Sequence, residues 1–317
     1  QGALPTRPAS LLPLPSMNSG LSRTTKWPLQ TAGDPLVRRP DTSRTSTGGE
    51  AIGPSWGDVK GNLVALALGG IVWAVFTPSI EDCKDLHWWW VSYVFLRTFI
   101  IGCTIYGGMH FTMYGGSSLR GTFDKFNPTW PKDEQHVRDR FYTMRSFVIN
   151  AAMEVWLLNA WGSGRVPYYN TMADHPVKTA AMFLLYPFWR DLHFFIYHVA
   201  MHQEPLYRWV HAHHHKSYNP GPWNGLSFTI IESIVTFTGP SIPCLVTSAH
   251  PLLFMYANLL AFVNPVYGHH GHSDLSGSYF HYLHHSKATC NYGMTLLPLD
   301  ILWGSWYAGE HAAAKKE

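Results

Sequence analysis

Three clusters of histidines in the C-terminal half of the 317-residue chain have the types and spacing of a metal site. His198 and His202 follow the pattern H-x3-H, and residues 211–215 and 281–285 each contain H-x2-H-H. Imidazole is the commonest nitrogen ligand for transition metals, and a helix brings positions i, i+3 and i+4 to one face. Each cluster, if helical, therefore directs two or three ring nitrogens towards one point.

Together the clusters supply eight imidazoles, which is too many for one ion and about right for two. The predicted metal ligands are His198, His202, His211, His214, His215, His281, His284 and His285. A further ligand is expected from residues 269–272, where His269 and His272 share one helical face and His270 points elsewhere. Nitrogen ligands suit iron, zinc, copper or nickel, so the spacing does not select the metal. Incidental chelation by a His-rich loop fits three such clusters less well.

Carboxylates near the clusters are candidates for orienting the ligands. Ligating imidazoles normally donate their second ring N–H to a carboxylate or a carbonyl oxygen. Asp191 lies seven residues before His198 in an apolar run, and an acid within a membrane run needs a partner. Asp191 is therefore the first candidate for an orienting group, followed by Asp274 and Asp300. A salt bridge from Asp191 to Arg190 is the alternative.

Composition and apolar runs indicate a membrane protein. Only 14% of residues are charged, compared with ~25% in ordinary soluble domains. A helix needs roughly 20 apolar residues to cross a bilayer. We therefore predict an all-α membrane bundle of about four transmembrane helices plus a re-entrant or hairpin pair, with a cytosol-side, His-rich metal-binding cap. The four runs are residues 62–80, 88–109, 146–161 and 180–196, and the pair is residues 226–246 and 251–266.

Basic residues predict the orientation of these helices. Residues 111–143 contain five Lys/Arg, whereas residues 81–85 and 162–176 contain one each. Cytoplasmic loops carry the excess of Lys and Arg, so residues 111–143 and the N-terminus are expected on the cytoplasm-equivalent side. Counting crossings then brings all three histidine clusters to that same face, as a shared metal site requires.

Three regions are predicted along the chain: a tail, residues 1–55; membrane helices, residues 56–176; and a His-box domain, residues 177–317. The tail is rich in Pro, Ser and Thr, has six basic residues against three acidic ones, and shows no helical or strand period. Such a composition is typical of a disordered tail or of an organellar targeting segment, and a leader ahead of Met17 is also compatible.

Other features exclude some classes of function. The net charge of +3 comes with no nucleic-acid-binding motif, so nucleic acid is not an expected partner. The four cysteines show no C-x-x-C pairing, so neither a disulfide framework nor a thiolate metal site is predicted.

The chain resembles the fatty acid hydroxylase/sterol desaturase superfamily of membrane di-iron oxidases. The resemblance extends over about residues 177–307, and its first histidine box includes Asp191. An additional histidine segment of the family resembles residues 271–274, which favours His272 over its neighbours. The matching boxes and their flanking turns are residues 191–202, 207–223 and 279–300.

The resemblance implies a membrane anchor and a cap in which histidines bind two metal ions, iron in active enzymes. The pair of ions would activate O2 and remove hydrogen from an unactivated C–H bond, so the metal centre rather than a separate side chain is the catalytic group. Electrons would come from an external donor such as cytochrome b5 or a ferredoxin. The endoplasmic reticulum is the family's usual location, and the basic, acid-poor N-terminus also allows a mitochondrial or plastid membrane.

Two departures from the family leave the function open. Many relatives carry histidines just after the second box, where this chain has Thr229 and Ser233. The doubled histidine that often precedes the third box in sterol C5 desaturases is replaced by Tyr279 and Phe280. The first hypothesis is O2-dependent hydroxylation or desaturation of a sterol or fatty acyl lipid. The alternative is a non-catalytic accessory subunit of a larger membrane complex, and a zinc-binding or metal-transporting membrane protein is a third.

Overall fold

The computed structural model describes Gly53 and residues 56–115, 125–272 and 278–309. These residues form helices joined by short turns and two isolated β-bridges, so the all-α prediction is confirmed. The predicted tail, residues 1–55, lies outside the described residues apart from Gly53. The helices are α1 (Trp56–Phe76), α2 (Trp88–Gly102), α3 (Gly108–Met113), α4 (Asp133–Gly162), α5 (Pro176–Met201), α6 (Ile230–Val246), α7 (Pro251–His269), α8 (Ser278–Lys287) and α9 (Leu299–Trp303).

Two segments at the start of the helical part are long and apolar enough to cross a membrane. They are Asp58–Phe76, within α1, and Trp88–Met113, in which a π turn joins α2 to α3. Only 11% of the first segment and 28% of the second are buried, whereas the core helix of a soluble protein is mostly buried. Their apolar side chains therefore face outwards, as contact with lipid requires.

The remaining predicted crossings are also helices, but their number in the membrane stays a prediction. α4 is 30 residues long, yet its first turns are charged, and α5 contains Pro187 within its 26 residues. α6 is shorter, at 17 residues, and packs against α7 in the order predicted for a hairpin pair.

α7 connects the apolar helix α1 to the histidine clusters. It packs against α1, α6, α8 and the 3₁₀ turn Pro222–Leu226. Its contact with α1 is close because Gly69 has no side chain: a Cβ there would lie 2.9 Å from the Cα of Tyr256. The C-terminal end of the same helix carries His269, so the packing of α7 determines where that imidazole lies.

A buried ion pair ties α2 to α4. Arg97 contacts Glu154, and their side chains are 7% and 3% exposed. Arg97 also donates hydrogen bonds to the carbonyl oxygen of Phe76, at 2.7 Å, and to the Thr77 hydroxyl, at 3.2 Å. Charged groups inside a helical bundle need such partners. Arg97, which lies on α2, therefore links that helix to the end of α1 and to α4.

Candidate metal centre

Nine histidines from four parts of the chain converge in two neighbouring groups. α5 and the turn at its end supply two, the turns between α5 and α6 three, α7 one and α8 three. Within each group the candidate ligand atoms all lie within 4.8 Å of one another. The first group is His198, His202, His211, His215 and His284, and the second is His214, His269, His281 and His285.

Local structure explains how each cluster is presented. α8 places its three histidines along one side of a regular helix, as the spacing predicted. The middle cluster is less regular: a π turn covers Tyr207–His211 and a 3₁₀ turn covers His214–Lys216. This irregular backbone sends His214 to the second group while His211 and His215 join the first.

The ring nitrogens of the first group have the separations expected around one ion. The Nε2 atom of His211 lies 3.2 Å from that of His198 and 3.0 Å from that of His215. The Nε2 atoms of His215 and His284 are 3.1 Å apart. Two nitrogens that each lie about 2.0–2.1 Å from a metal ion, at an angle near 90–110°, are separated by roughly 3 Å.

The second group has the same separations. The Nε2 atom of His269 lies 3.0 Å from those of His281 and His285 and 3.3 Å from that of His214. The two groups adjoin each other, because the rings of His215 and His285 stack with their centroids 4.8 Å apart. Each of the two adjoining groups could therefore hold a metal ion.

Hydrogen bonds at Nδ1 show why a cation fits the second group. His269 Nδ1 lies 2.7 Å from the carbonyl oxygen of Pro265, and His285 Nδ1 lies 3.1 Å from that of Ser217. A carbonyl oxygen only accepts hydrogen bonds, so both neutral rings carry their proton on Nδ1. Their Nε2 lone pairs then face each other at 3.0 Å and repel unless a cation lies between them.

In the first group, the Nε2 atoms of His198 and His211 face each other in the same way. His198 Nδ1 donates to the carbonyl oxygen of Tyr292, and His211 Nδ1 lies 2.6 Å from a carboxylate oxygen of Glu232. His198 therefore presents an unprotonated Nε2, and His211 does so when Glu232 is ionised; the two Nε2 atoms are 3.2 Å apart. The donor set of each group accordingly fits one metal ion.

Burial keeps the histidines of the turns and of α8 neutral. It lowers the pKa of these residues well below 6.5, and neighbouring histidines lower it further. A neutral imidazole binds a metal without first losing a proton. The residues are His214, His215, His281, His284 and His285.

Asp300, one of the carboxylates predicted to orient a ligand, lies behind the first group. It accepts hydrogen bonds from the backbone N–H groups of Tyr292 and Gly293, both at 2.7 Å. Burial raises the pKa of Asp300, and these hydrogen bonds together with one from Ser305 oppose that rise. Because the Tyr292 carbonyl accepts from His198, Asp300 acts on the ligand through one intervening residue.

The other two predicted carboxylates are not seen against a ligand. Asp191 accepts a hydrogen bond from the backbone N–H of Leu297, at 2.6 Å, in the segment that leads to Asp300. Asp274 lies outside the described residues.

The structure places His272 outside both groups. Its Nδ1 lies 2.7 Å from the carbonyl oxygen of His270, and its ring packs against Tyr114 with the centroids 5.3 Å apart. His269 is the member of residues 269–272 that joins the site. The family resemblance favoured His272, but the end of α7 aims His269 inwards, and sequence spacing does not show where a helix ends relative to a site.

Glu232 is a site residue that the sequence analysis missed. Thr229 caps α6, and its hydroxyl accepts the backbone N–H of Glu232 at 3.3 Å. The pattern T-x-x-E before an apolar run is a signal for such a helix start. It could have predicted where α6 begins, but not that the fold brings this start against His211.

Comparison with known proteins finds a family that the site resembles. Residues 183–305, which contain all nine histidines, match the model of the fatty acid hydroxylase family. This similarity, like the sterol desaturase relatives below, supports the fatty acid hydroxylase/sterol desaturase superfamily. The family is iron-dependent. No solved structure matches the chain significantly.

Two similar curated proteins are sterol desaturases of Gibberella zeae. Delta(7)-sterol 5(6)-desaturase ERG3B is 28% identical over 134 residues, which are 38% of this chain and 40% of the relative. Delta(7)-sterol 5(6)-desaturase ERG3A is 28% identical over 166 residues, 48% of this chain and 45% of the relative. The chain thus spans less than half the length of these relatives. Sterol desaturases are oxidoreductases, and the family together with the two apolar helical segments indicates a membrane protein.

Proposed function

We propose that this chain is an O2-dependent membrane oxidase that hydroxylates or desaturates a sterol or fatty acyl lipid with two bound iron ions. The observation that carries the proposal is the close approach of two Nε2 atoms in each histidine group. The pairs are His198 with His211, at 3.2 Å, and His269 with His285, at 3.0 Å. Imidazole suits iron among other metals, and the iron dependence of the family favours it here.

Iron would supply the redox chemistry with O2 that amino-acid side chains lack. The chain's own residues hold each imidazole by its Nδ1 atom, so that Nε2 faces the ion. Buried surroundings also exclude water: His214, His284 and His285 are each 2% exposed or less. Exclusion of water protects reactive species from side reactions.

Phe194 is well placed to contact an apolar substrate. Its ring centroid lies 4.8 Å from that of His198 and 6.4 Å from that of His281, so it adjoins both groups. An apolar side chain at this position would hold a hydrocarbon segment beside the ions, and holding a reactant in the correct geometry accelerates its reaction. This contact supports a lipid rather than a polar substrate.

Electrons would reach the ions from an external donor such as cytochrome b5 or a ferredoxin. The membrane would be that of the endoplasmic reticulum, a mitochondrion or a plastid.

Lipid profiling together with elemental analysis tests the proposal. Cells lacking the protein would receive the wild type, His214→Ala or the control His213→Ala. His213 is adjacent in sequence, but its ring packs on Tyr142 at 3.6 Å and belongs to neither group. Wild type and the control should contain two irons per chain and yield an oxidised lipid that is lost in His214→Ala.

Purified wild-type protein without redox metal or oxygen uptake would contradict the proposal. The accessory-subunit alternative makes two different predictions. The protein would be purified as part of a stable multi-subunit complex whether or not it contains iron, and the lipids would be the same in all the cells.

A further inference from the structure

One orienting contact in the metal centre differs chemically from the others. His211 Nδ1 faces the carboxylate of Glu232 at 2.6 Å, and both side chains are 1% exposed. The other observed Nδ1 partners of the nine histidines are backbone carbonyls. They are those of Tyr292, Cys290, Pro265 and Ser217.

We infer that Glu232 is a positioning residue that makes the two metal positions inequivalent, with the first group binding its ion more tightly. This inference rests on the proposed function, because it assumes that each group holds an ion. A carboxylate draws the Nδ1 proton of the imidazole towards itself and increases the basicity of the opposite nitrogen. An uncharged carbonyl oxygen increases the basicity of the opposite nitrogen less. In the four-histidine group the observed partners are the carbonyls of Pro265 and Ser217, so its imidazoles are expected to be weaker ligands.

The burial of the Glu232 carboxyl group gives an independent reason. Its second carboxylate oxygen, Oε2, is buried and has no hydrogen-bond partner among the described residues. A buried carboxylate is costly unless a cation or several hydrogen bonds compensate its charge. An ion bound by His211 would supply that compensation through the imidazole ring.

Contacts of neighbouring residues fix the start of α6, where Glu232 lies. Thr229 caps the start of α6, and the hydroxyl of Ser233 lies 2.8 Å from that of Ser146 on α4. The contact between Ser233 and Ser146 therefore anchors the helix turn that presents Glu232. A merely structural explanation is that Glu232 serves this helix start alone, as the glutamate of a capping box does.

The test is an anaerobic titration of the full-length protein with iron-57 as Fe(II), followed by Mössbauer spectroscopy. Glu232→Gln keeps the size and a hydrogen-bond acceptor but removes the charge. We expect one of two ions to bind about 10–100-fold more weakly, the other to keep its affinity, and only one of two Mössbauer signals to change. Thr229→Ala is the matched control: it removes the cap but keeps the Glu232 carboxylate and the contact of Ser233 with Ser146, so it should leave both affinities unchanged.

The outcomes separate the two proposals. Unchanged binding in Glu232→Gln, equal weakening of both ions, or the same selective loss in Thr229→Ala would overturn the role of Glu232 while leaving the two-iron function intact. Wild-type protein that binds fewer than two irons would overturn both. If Glu232→Gln is not recovered folded, Glu232→Asp is measured instead: it keeps the charge, shortens the reach, and should weaken the same single ion.

Discussion

Several imidazoles of the centre are oriented by a hydrogen bond at Nδ1. The partners in these hydrogen bonds cannot be identified from the spacing of the histidines. His284 Nδ1, for example, lies 2.7 Å from the carbonyl oxygen of Cys290. The spacing predicted eight histidines that would lie together, and the structure brings those eight together with His269. Their metal binding stays a prediction. Backbone carbonyls are supplied by any residue type, so no side-chain pattern in a sequence identifies such partners.

Alanine variants of His269 and His272 test which of the two belongs to the site. His269→Ala removes the nitrogen that lies about 3 Å from three others of its group, so it should lose one iron per chain. His272→Ala should keep both irons, because its ring lies against Tyr114 rather than in a group. Iron content of the purified proteins is the measurement, and metal loss in His272→Ala alone would contradict the assignment.

The packing of α7 near the site depends on a glycine in a neighbouring turn. Gly225, in the turn Pro222–Leu226, lies directly against α7: a Cβ there would come within 2.6 Å of the Pro265 carbonyl oxygen. That oxygen accepts the Nδ1 proton of His269. The turn and the ligand are thus mechanically linked through one carbonyl group.

Gly225→Ala should therefore disturb the second histidine group without removing any ligand. Displacement of the Pro265 carbonyl misorients His269, and loss of an orienting partner typically costs about 10–100-fold in metal affinity. Fe(II) titration is the measurement. Gly61→Ala is the control, since no atom lies within 4 Å of a Cβ at that position of α1. Equal affinities in the two variants would refute the linkage.

The ion pair between α2 and α4 makes a prediction about stability. Arg97→Met leaves Glu154 as a buried carboxylate without its cation, which should destabilise the protein by about 3–5 kcal/mol. Replacing both residues, with Arg97→Met and Glu154→Leu, removes the unpaired charge and should restore much of that loss. Thermal melting in detergent is the measurement, and a double variant less stable than Arg97→Met would contradict this account.

Apolar runs predicted the elements better than they predicted their limits. The run at residues 146–161 lies within α4, but the helix begins at Asp133. Its first turns are charged, so hydropathy carries no signal there. Packing of α4 against the turn Pro222–Leu226 is a tertiary contact that contributes to the longer helix, and a single sequence does not display it.

Across the whole molecule, buried histidines couple stability to pH. Burial holds the pKa of His214, His281 and His285 well below 6.5 in the folded protein. In the unfolded chain the same groups bind protons as the pH falls below about 6.5. The unfolded state then binds more protons than the folded state, so stability decreases as the pH decreases.

Metal-free protein in detergent should consequently melt at a lower temperature at pH 5 than at pH 7. The protein is treated with a chelator before both scans, so that loss of metal does not contribute to the difference. A melting temperature that is equal or higher at pH 5 would contradict this account.

The histidines that meet at the centre come from α5, the turns after it, α7 and α8, which are far apart along the chain. An ion held by several of these parts ties them together, so the free energy of metal binding is also free energy of folding. Newly synthesised chains that meet no iron would stay looser and more accessible to proteases. A cell short of iron would therefore contain less of this protein even when its messenger RNA is abundant.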